Sequence, residues 1–276
     1  MNAVSAKAKA LRLRQLHEGP EPLLLANVWD VASARIVEQL GFKALATTSA
    51  GIANLLGYPD GENIAAKEML EWVGRIVRAV ALPVTADLEA GYDLGDVNTL
   101  VTEMIAIGAV GLNIEDVDHA NRSLLDVKTQ AERVATIREV ASSLDVPVVI
   151  NARTDAYLLD TVKDQDRFAI AAERARAYRQ AGADCIFVPG LRDIEAIKEL
   201  LRATPGPMNI LAGPGAASVG ELARVGVRRI SLGSSPYRAT LGLLRAIGQE
   251  WIGTGTYDQL SRFVIPYDEV NRLIAG

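Results

Sequence analysis

The sequence contains little cysteine, little histidine and no long hydrophobic run, and each shortage excludes a class of protein. The single cysteine among 276 residues, Cys185, has no partner for an internal disulfide, which fits a reducing compartment and leads us to expect a cytoplasmic location. The 2 histidines, His17 and His119, have no spacing to a serine or cysteine that indicates a catalytic triad. The longest apolar stretch, residues 23–28, falls far short of the roughly 20 residues of a membrane-spanning helix, so no membrane partner is expected.

An excess of basic residues is also absent. The 29 lysines and arginines are outnumbered by 34 aspartates and glutamates, which gives a net charge of -5. Because no basic run could follow a phosphate backbone, nucleic acid is not expected as a partner. Neither a Gly-x-Gly-x-x-Gly fingerprint nor a Walker loop is present. The apolar share of 49% is that of a globular protein with a substantial core.

Glycine recurs at regular places in the chain. Four times a segment with helical periodicity ends in glycine and is followed by a short apolar run, at residues 41–50, 108–116, 182–190 and 226–234. A glycine there suits the left-handed residue that ends a helix. An apolar run without polar alternation is typical of a strand buried on both faces. The repeat therefore predicts βα units and a parallel sheet.

Eight such strands can be placed along the chain. They cover residues 23–29, 44–50, 83–89, 111–116, 147–154, 185–190, 208–213 and 229–234, with amphipathic helical segments between them. This pattern predicts an α/β fold, a (β/α)8 TIM-type barrel, with an open doubly wound sheet as the alternative. No linker divides the chain, so we predict one domain over residues 1–276. Its tail, residues 249–276, carries apolar side chains that need cover, on its own barrel or on a second subunit.

Acidic residues cluster where the predicted strands end, the edge that carries the active site in such barrels. Asp87 and Glu89 share one side of the third strand by alternation, and Glu115 closes the fourth strand. Converging carboxylates raise one another's pKa unless a cation lies among them. Oxygen ligands of this kind favour Mg²⁺ or Mn²⁺ over zinc. These three residues are therefore predicted to hold Mg²⁺ (or Mn²⁺), with helix caps and ion pairs as their alternative role.

Three neighbouring features suit a bound acid. Arg153 closes the fifth strand and offers a planar fork for a carboxylate or phosphonate, its alternative being an ion pair with Asp155 or Glu115. Small residues, which let backbone N–H groups face an anion, end the second strand at Thr48, Ser49 and Ala50. The following loop, residues 54–62, is rich in turn-forming residues and either covers a substrate or connects two elements.

These strand ends resemble the isocitrate lyase and phosphoenolpyruvate mutase superfamily. The resemblance runs from about residue 23 to residue 245 and is carried by Thr-Ser-Ala-Gly at 48–51, Leu-Gly-Tyr-Pro-Asp at 56–60, Asp-Leu-Glu-Ala-Gly-Tyr at 87–92, Gly-Leu-Asn-Ile-Glu-Asp at 111–116 and Asn-Ala-Arg-Thr-Asp at 151–155. It implies a (β/α)8 barrel whose last helix is exchanged with a neighbouring subunit, in a homodimer or homotetramer. It also implies Mg²⁺ and a 2-oxo acid or its enolate as the common chemical species.

The resemblance implies a role for each matched residue. Asp87 corresponds to the direct metal ligand, and Glu89 and Glu115 correspond to residues that hold metal-bound waters. Asp60 matches the acid on the mobile loop after the second strand, and Arg153 matches the residue that binds the substrate carboxylate. The expected substrate-binding set is Trp29, Thr48, Ser49, Ala50, Arg153 and Asn209.

The sequence departs from known members where the leaving group is decided. Lyases of the superfamily carry Lys-Lys-Cys-Gly-His or Lys-Arg-Cys-Gly-His after the fourth strand, and its cysteine protonates the product enolate, whereas residues 118–124 here are shorter and lack cysteine. The phosphonate enzymes often have histidine at the end of the sixth strand, where this chain has Pro189. We therefore predict a carbon–carbon lyase or decarboxylase that acts on a 2-oxo acid or dicarboxylate through an enolate, with His119 or Arg122 as the replacement acid.

Two other functions stay open at this point. One is phosphonopyruvate-type carbon–phosphorus chemistry, and the other is a non-catalytic protein that binds a 2-oxo acid. The retained carboxylates favour an enzyme, because their mutual repulsion is costly without a use. The missing cysteine loop favours binding without turnover.

Overall fold

The computed structural model describes residues 5–92 and 96–275. Within these ranges, nine strand segments form one parallel sheet, and two of them, Leu23–Leu25 and Asn27–Val28, are consecutive halves of the first barrel strand, β1. The first half pairs with the last strand of the sheet and the second half pairs with the second strand, so the chain itself closes the barrel. The predicted (β/α)8 barrel is confirmed, and the alternative of an open sheet is wrong.

The other seven barrel strands follow one another around the barrel in sequence order. They are β2 (Leu45–Thr47), β3 (Val84–Asp87), β4 (Gly111–Glu115), β5 (Val149–Arg153), β6 (Cys185–Phe187), β7 (Met208–Leu211) and β8 (Arg229–Ser231). Each lies inside a predicted strand and is almost wholly buried, as its unbroken apolar run indicates. Cys185 is buried within β6 as part of this core. A small antiparallel pair, Val117–Asp118 with Ser123–Leu124, follows β4.

Helices lie before, between and after the strands, and most of them cover the outside of the barrel. They are α1 (Ala6–Glu18), α2 (Val31–Gln39), α3 (Ser49–Leu55), α4 (Ala66–Ala79), α5 (Val97–Ala106), α6 (Val127–Ser143), α7 (Arg167–Gln180), α8 (Ile194–Ala203), α9 (Val219–Val225), α10 (Ser235–Gly253), α11 (Asp258–Phe263) and α12 (Tyr267–Ala275). Polar caps start several of them; Asp30 forms a reciprocal capping box with Ser33 at α2. Gly226 ends α9 with a left-handed φ of 100°, as the glycine pattern predicts.

Helix α1 closes the end of the barrel opposite the predicted site. Its buried residues include Leu13 and His17, which reach the first residues of β4 and β8. A Cβ atom on Gly111 would lie 2.9 Å from Leu13 Cδ2, so any larger residue there would force a neighbouring side chain to shift. His17 Nε2 lies 3.5 Å from Nη1 of Arg229, which is fully buried inside the barrel.

The tail helices are largely exposed in the single chain. Helix α10 buries only Tyr237, and Trp251, Ile252 and Phe263 are exposed. Helix α12 packs against α2. Exchange of the last helix with a second subunit stays a prediction. Within the described ranges, no helix is long and apolar enough to cross a membrane.

Candidate active site

The strand register places an acidic, a cationic and an aromatic side chain side by side at the C-terminal end of the barrel. Glu115 of β4 is the register partner of Arg153 of β5, and Arg153 is the register partner of Phe187 of β6. A cavity of about 180 Å³ opens at this end. Its lining includes nine of the predicted site residues: Thr48, Ser49, Ala50, Asp60, Asp87, Glu89, Glu115, His119 and Arg153.

Asp87 ends β3 and is held rigidly by the neighbouring strands. Its Oδ2 atom accepts hydrogen bonds from the Ser49 backbone N–H (3.1 Å) and hydroxyl (2.8 Å). Asn113 Nδ2 donates to Oδ1 over 3.3 Å, and the Asp87 N–H donates to Thr47 Oγ1 over 2.9 Å. The carboxylate therefore has a fixed orientation at the cavity floor, as a residue that anchors a ligand requires.

Glu89 lies in a left-handed backbone conformation with φ of 49°, which is uncommon for a residue other than glycine. Its Oε2 accepts hydrogen bonds from the backbone N–H groups of Gly61 (3.1 Å) and Glu62 (2.5 Å). Its Oε1 is buried without a hydrogen-bond partner among the residues that the structure describes. Burial, with the neighbouring acids, raises the pKa of Glu89 to about 8. A cation or a donor at Oε1 would relieve this energetic cost.

The loop after β2 brings a further acid to the cavity. Asp60 lies on this loop, next to the Gly61 N–H group that binds Glu89. Burial raises the pKa of Asp60, and the carboxylate of Asp87 raises it further. The loop that resembles a mobile segment in sequence is thus folded over the acidic side of the cavity in this structure.

Glu115 bridges the two cationic side chains of the site. Its Oε1 lies 2.7 Å from His119 Nε2 and its Oε2 lies 2.5 Å from Arg153 Nη1. Burial raises the pKa of Glu115, while Arg153 and His119 oppose this rise. The hydrogen bond to Glu115 raises the pKa of His119 to about 8. Arg153 also binds Asp155 through Nε (2.6 Å) and Nη2 (2.7 Å), so it forms both ion pairs that the sequence offered as its alternative role.

The donor atoms at the cavity fit a hydrated magnesium ion. In the described part of the chain, no three His, Cys, Asp or Glu side chains could hold a metal ion by themselves, which argues against a closed protein cage. Mg²⁺ commonly keeps several waters and binds through one or two carboxylates. The fixed Asp87 and the unpartnered Glu89 Oε1 match that requirement.

Three predicted site residues do not line this cavity. One of them, Arg122, is exposed in the turn that follows Asp118. The Trp29 carbonyl accepts a hydrogen bond from Trp72 Nε1 over 2.6 Å, and its ring packs edge-on against Tyr237 at 5.4 Å between centroids. Asn209 is fully buried and donates to Ser231 Oγ over 3.2 Å. Asn209 therefore stands behind Ser231, which does line the cavity.

Several lining residues were not predicted from the sequence. Asn27 ties three strands together: its Oδ1 accepts from the N–H groups of Leu232 (2.9 Å) and Gly233 (2.8 Å), and its Nδ2 donates to the Thr47 carbonyl (2.9 Å). An amide inside an apolar strand was the available signal for it. One wall of the cavity is apolar, with Leu158, Phe187, Pro189 and Leu211. No signal distinguishes these apolar residues from core residues before the register is known.

Comparison with known proteins identifies the family of this chain and supports its fold. The family profile described as phosphoenolpyruvate phosphomutase matches residues 13–251. A solved structure of a candidate lyase/mutase from Burkholderia cenocepacia J2315 has a TM-score of 0.91 and 35% identity, and 98% of each chain is covered. Oxaloacetate decarboxylase of Rhodopseudomonas palustris (strain TIE-1) is 32% identical over 80% of this chain and 76% of that enzyme. Oxaloacetate acetylhydrolase in complex with oxalate shares the fold, with a TM-score of 0.85 at 24% identity over 98% of this chain and 95% of that one.

Proposed function

This chain belongs to the phosphoenolpyruvate phosphomutase family, and from that premise we propose that it breaks a carbon–carbon bond in a small 2-oxo acid. The leading reaction is decarboxylation of an oxaloacetate-like 2-oxo dicarboxylate. The observation that carries the proposal is the cavity, where the fixed carboxylate of Asp87 shares about 180 Å³ with Arg153 and His119. A volume this small suits a metabolite-sized acid better than a larger ligand.

The acidic side of the cavity supports a role for Mg²⁺ or Mn²⁺. In this proposal Asp87 is the direct ligand, and Glu89 and Glu115 hold water molecules of the ion. Such an ion, when bound, would supply Lewis-acid chemistry and would stabilise the negative charge of an enolate. Without a cation, a dicarboxylate would meet the repulsion of Asp60, Asp87 and Glu89.

The remaining residues orient the acid and supply a proton. Arg153 binds the substrate carboxylate with the guanidinium N–H groups that Asp155 and Glu115 leave available. The C3–C4 bond breaks, its electron pair passes into the enolate of the product, and the C4 carboxylate leaves as CO₂. His119, whose pKa of about 8 keeps it protonated near neutrality, gives its proton to C3 of the enolate. This histidine replaces the cysteine that lyases of the superfamily carry.

The direct test is to follow the products. Purified protein is incubated with oxaloacetate, with and without Mg²⁺, and the mixture is followed by NMR against the spontaneous reaction. We expect the protein to accelerate the formation of pyruvate and CO₂ over the protein-free control. This acceleration should require Mg²⁺. Phosphonopyruvate is followed in parallel. Turnover of phosphonopyruvate without turnover of oxaloacetate would show that the assignment is wrong, and binding without product would favour a non-catalytic protein.

Two substitutions separate the metal from the acid. Asp87→Ala should abolish Mg²⁺-dependent binding of oxalate, because the fixed ligand is lost. Arg153→Ala should keep Mg²⁺ binding but weaken oxalate binding by about 10- to 100-fold, as expected for the loss of a charge-assisted hydrogen bond. Calorimetric titration measures both, with Arg78→Ala on the outer face of α4 as the control. Unchanged Mg²⁺-dependent binding in Asp87→Ala would refute the site assignment.

A cytoplasmic location and a homodimeric or homotetrameric state are part of the same proposal. The buried, unpaired Cys185 is compatible with a reducing compartment.

A further inference from the structure

We infer that the carboxylate that leaves C4 of the substrate lies against the apolar wall of the cavity, where poor hydration favours its release as CO₂. The inference rests on the proposed function and extends it, because it assigns a place to the departing group. It predicts a substrate class: 2-oxo acids that carry their second carboxylate on C3.

The wall is built by two neighbouring strands and one loop. Phe187 ends β6, and Pro189 lies two residues further on the same side of the chain. Leu211 ends β7. Leu158, in the loop after β5, completes the wall and is 45% exposed. An apolar side chain that is half-exposed at the mouth of a charged cavity is suited to contact a ligand.

Charge is distributed unevenly around the cavity. The acids occupy the β2 to β4 side, and Arg153 lies between them and the wall, with its guanidinium carbon 5.9 Å from the centroid of Phe187. Past Phe187 the described lining residues are apolar or neutral, with Ser231 and Ser234 on the far side. Among the described residues that line the cavity, no lysine and no second arginine is present. A second carboxylate on this side therefore meets no cation.

This arrangement affects the two ends of the reaction differently. Before cleavage the C4 carboxylate carries a full charge, and contact with apolar side chains deprives it of water. After the C3–C4 bond breaks, the electron pair stays in the enolate and the departing group is neutral CO₂, which needs no hydration. The wall therefore destabilises the bound acid more than the transition state, which raises kcat. A lyase that releases a charged acid from the same place would gain nothing from such a wall.

The test places a cation at the wall. Leu158→Lys is the first variant, because a half-exposed loop residue tolerates the change, and Leu211→Lys is the second. Each lysine should stabilise the bound C4 carboxylate, so we expect KM for oxaloacetate and kcat to fall together, each by about tenfold. Binding of oxalate, which has no C4 carboxylate, should stay within about twofold. Leu144→Lys is the control, because it adds the same charge at the end of α6, away from the cavity.

The outcomes separate this inference from the proposed function. If the lysine variants raise KM or leave kcat unchanged while the wild type releases CO₂, the departing carboxylate does not lie at the wall and the inference is wrong. If the wild type itself releases no CO₂ from oxaloacetate with Mg²⁺, the proposed function fails, and this inference fails with it.

Discussion

The sequence leaves Arg153 two alternative roles, an ion pair or a contact with a bound acid, and its contacts in the structure are compatible with both. Its guanidinium has five N–H donors, and the contacts with Asp155 and Glu115 use Nε, Nη1 and Nη2 once each. Two N–H groups are left for an acid in the cavity. The ion pairs therefore hold the fork in place before a substrate arrives, which lowers the entropic cost of binding.

A second residue, His17, gives the fold a pH dependence that is unrelated to the site. It is buried at the closed end of the barrel, where its Nδ1–H donates to the Leu13 carbonyl over 2.8 Å. Burial, and then the charge of Arg229, lower the pKa of His17 to about 3. The unfolded chain binds a proton on this histidine near pH 6.5, whereas the folded chain does not. Stability is therefore full above about pH 6.5 and falls as the pH decreases toward about 3.

Urea denaturation at about pH 7.5 and about pH 5 tests this expectation. At pH 5 the unfolded state binds a proton at His17 that the folded state does not bind. This difference lowers the free energy of unfolding by about 2 kcal/mol. The wild type should lose that much more stability on acidification than His17→Gln, which cannot titrate. Equal losses in the two proteins would show that His17 does not set the pH dependence.

At the scale of elements, the sequence predicts the positions of the strands. It predicts the acidic residues of the cavity but not the apolar ones. Continuous apolar runs, four of them after a glycine that ends a helix, locate all eight barrel strands, because both faces of such strands are buried. The acids at the strand ends were found for a related reason: Asp87 and Glu115 are polar where the pattern is otherwise apolar. Phe187 and Leu211 could not be distinguished from core residues, since their exposure depends on the register. The Trp29 ring packs on α10, and no sequence pattern indicates which way it points.

The junction between α1 and β4 depends on one glycine. A Cβ atom on Gly111 would lie 2.9 Å from Leu13 Cδ2 and 3.0 Å from Thr85 Oγ1. Gly111→Ala should therefore cost about 1–3 kcal/mol of unfolding free energy, as overpacking of a close-packed core does. Gly242→Ala is the matched control, because nothing lies within 4 Å of its Cβ position in α10 and alanine favours a helix. Chemical denaturation of both variants measures the difference; a Gly111→Ala protein as stable as Gly242→Ala would contradict the packing argument.

Across the whole molecule, a chain of buried polar groups connects the closed end of the barrel to the cavity. Arg229 Nη2 donates to Asn113 Oδ1 over 3.0 Å, and Asn113 Nδ2 donates to Asp87 Oδ1 over 3.3 Å. Arg229 is fully buried, and in the described part of the chain no carboxylate forms an ion pair with it. Its positive charge instead lies on the closed side of the cavity, two hydrogen bonds from Asp87, and partly compensates the negative charge of the acidic residues there.

The tail helices expose large apolar side chains, and packing within a single chain does not account for this exposure. Ile252 is 90% exposed and Trp251 is 64% exposed, a surface that isolated proteins rarely leave in water. Burial of this surface against a second copy of the chain would account for it, as the predicted homodimer or homotetramer requires. Light scattering after size-exclusion chromatography should therefore give the mass of two or four chains.

The double substitution Trp251→Glu and Ile252→Glu places two charges in that apolar contact. Burying them unpaired is costly, so we expect the subunits to dissociate at least tenfold more readily and the mass to shift toward one chain. Leu40→Glu, at an exposed leucine after α2, controls for the added charge and should leave the mass unchanged. Circular dichroism must show the same helix content in all three proteins, because the tail helices are outside the barrel core. A wild type with the mass of a single chain would show that the tail is not a subunit contact, and the predicted exchange of the last helix would then be wrong.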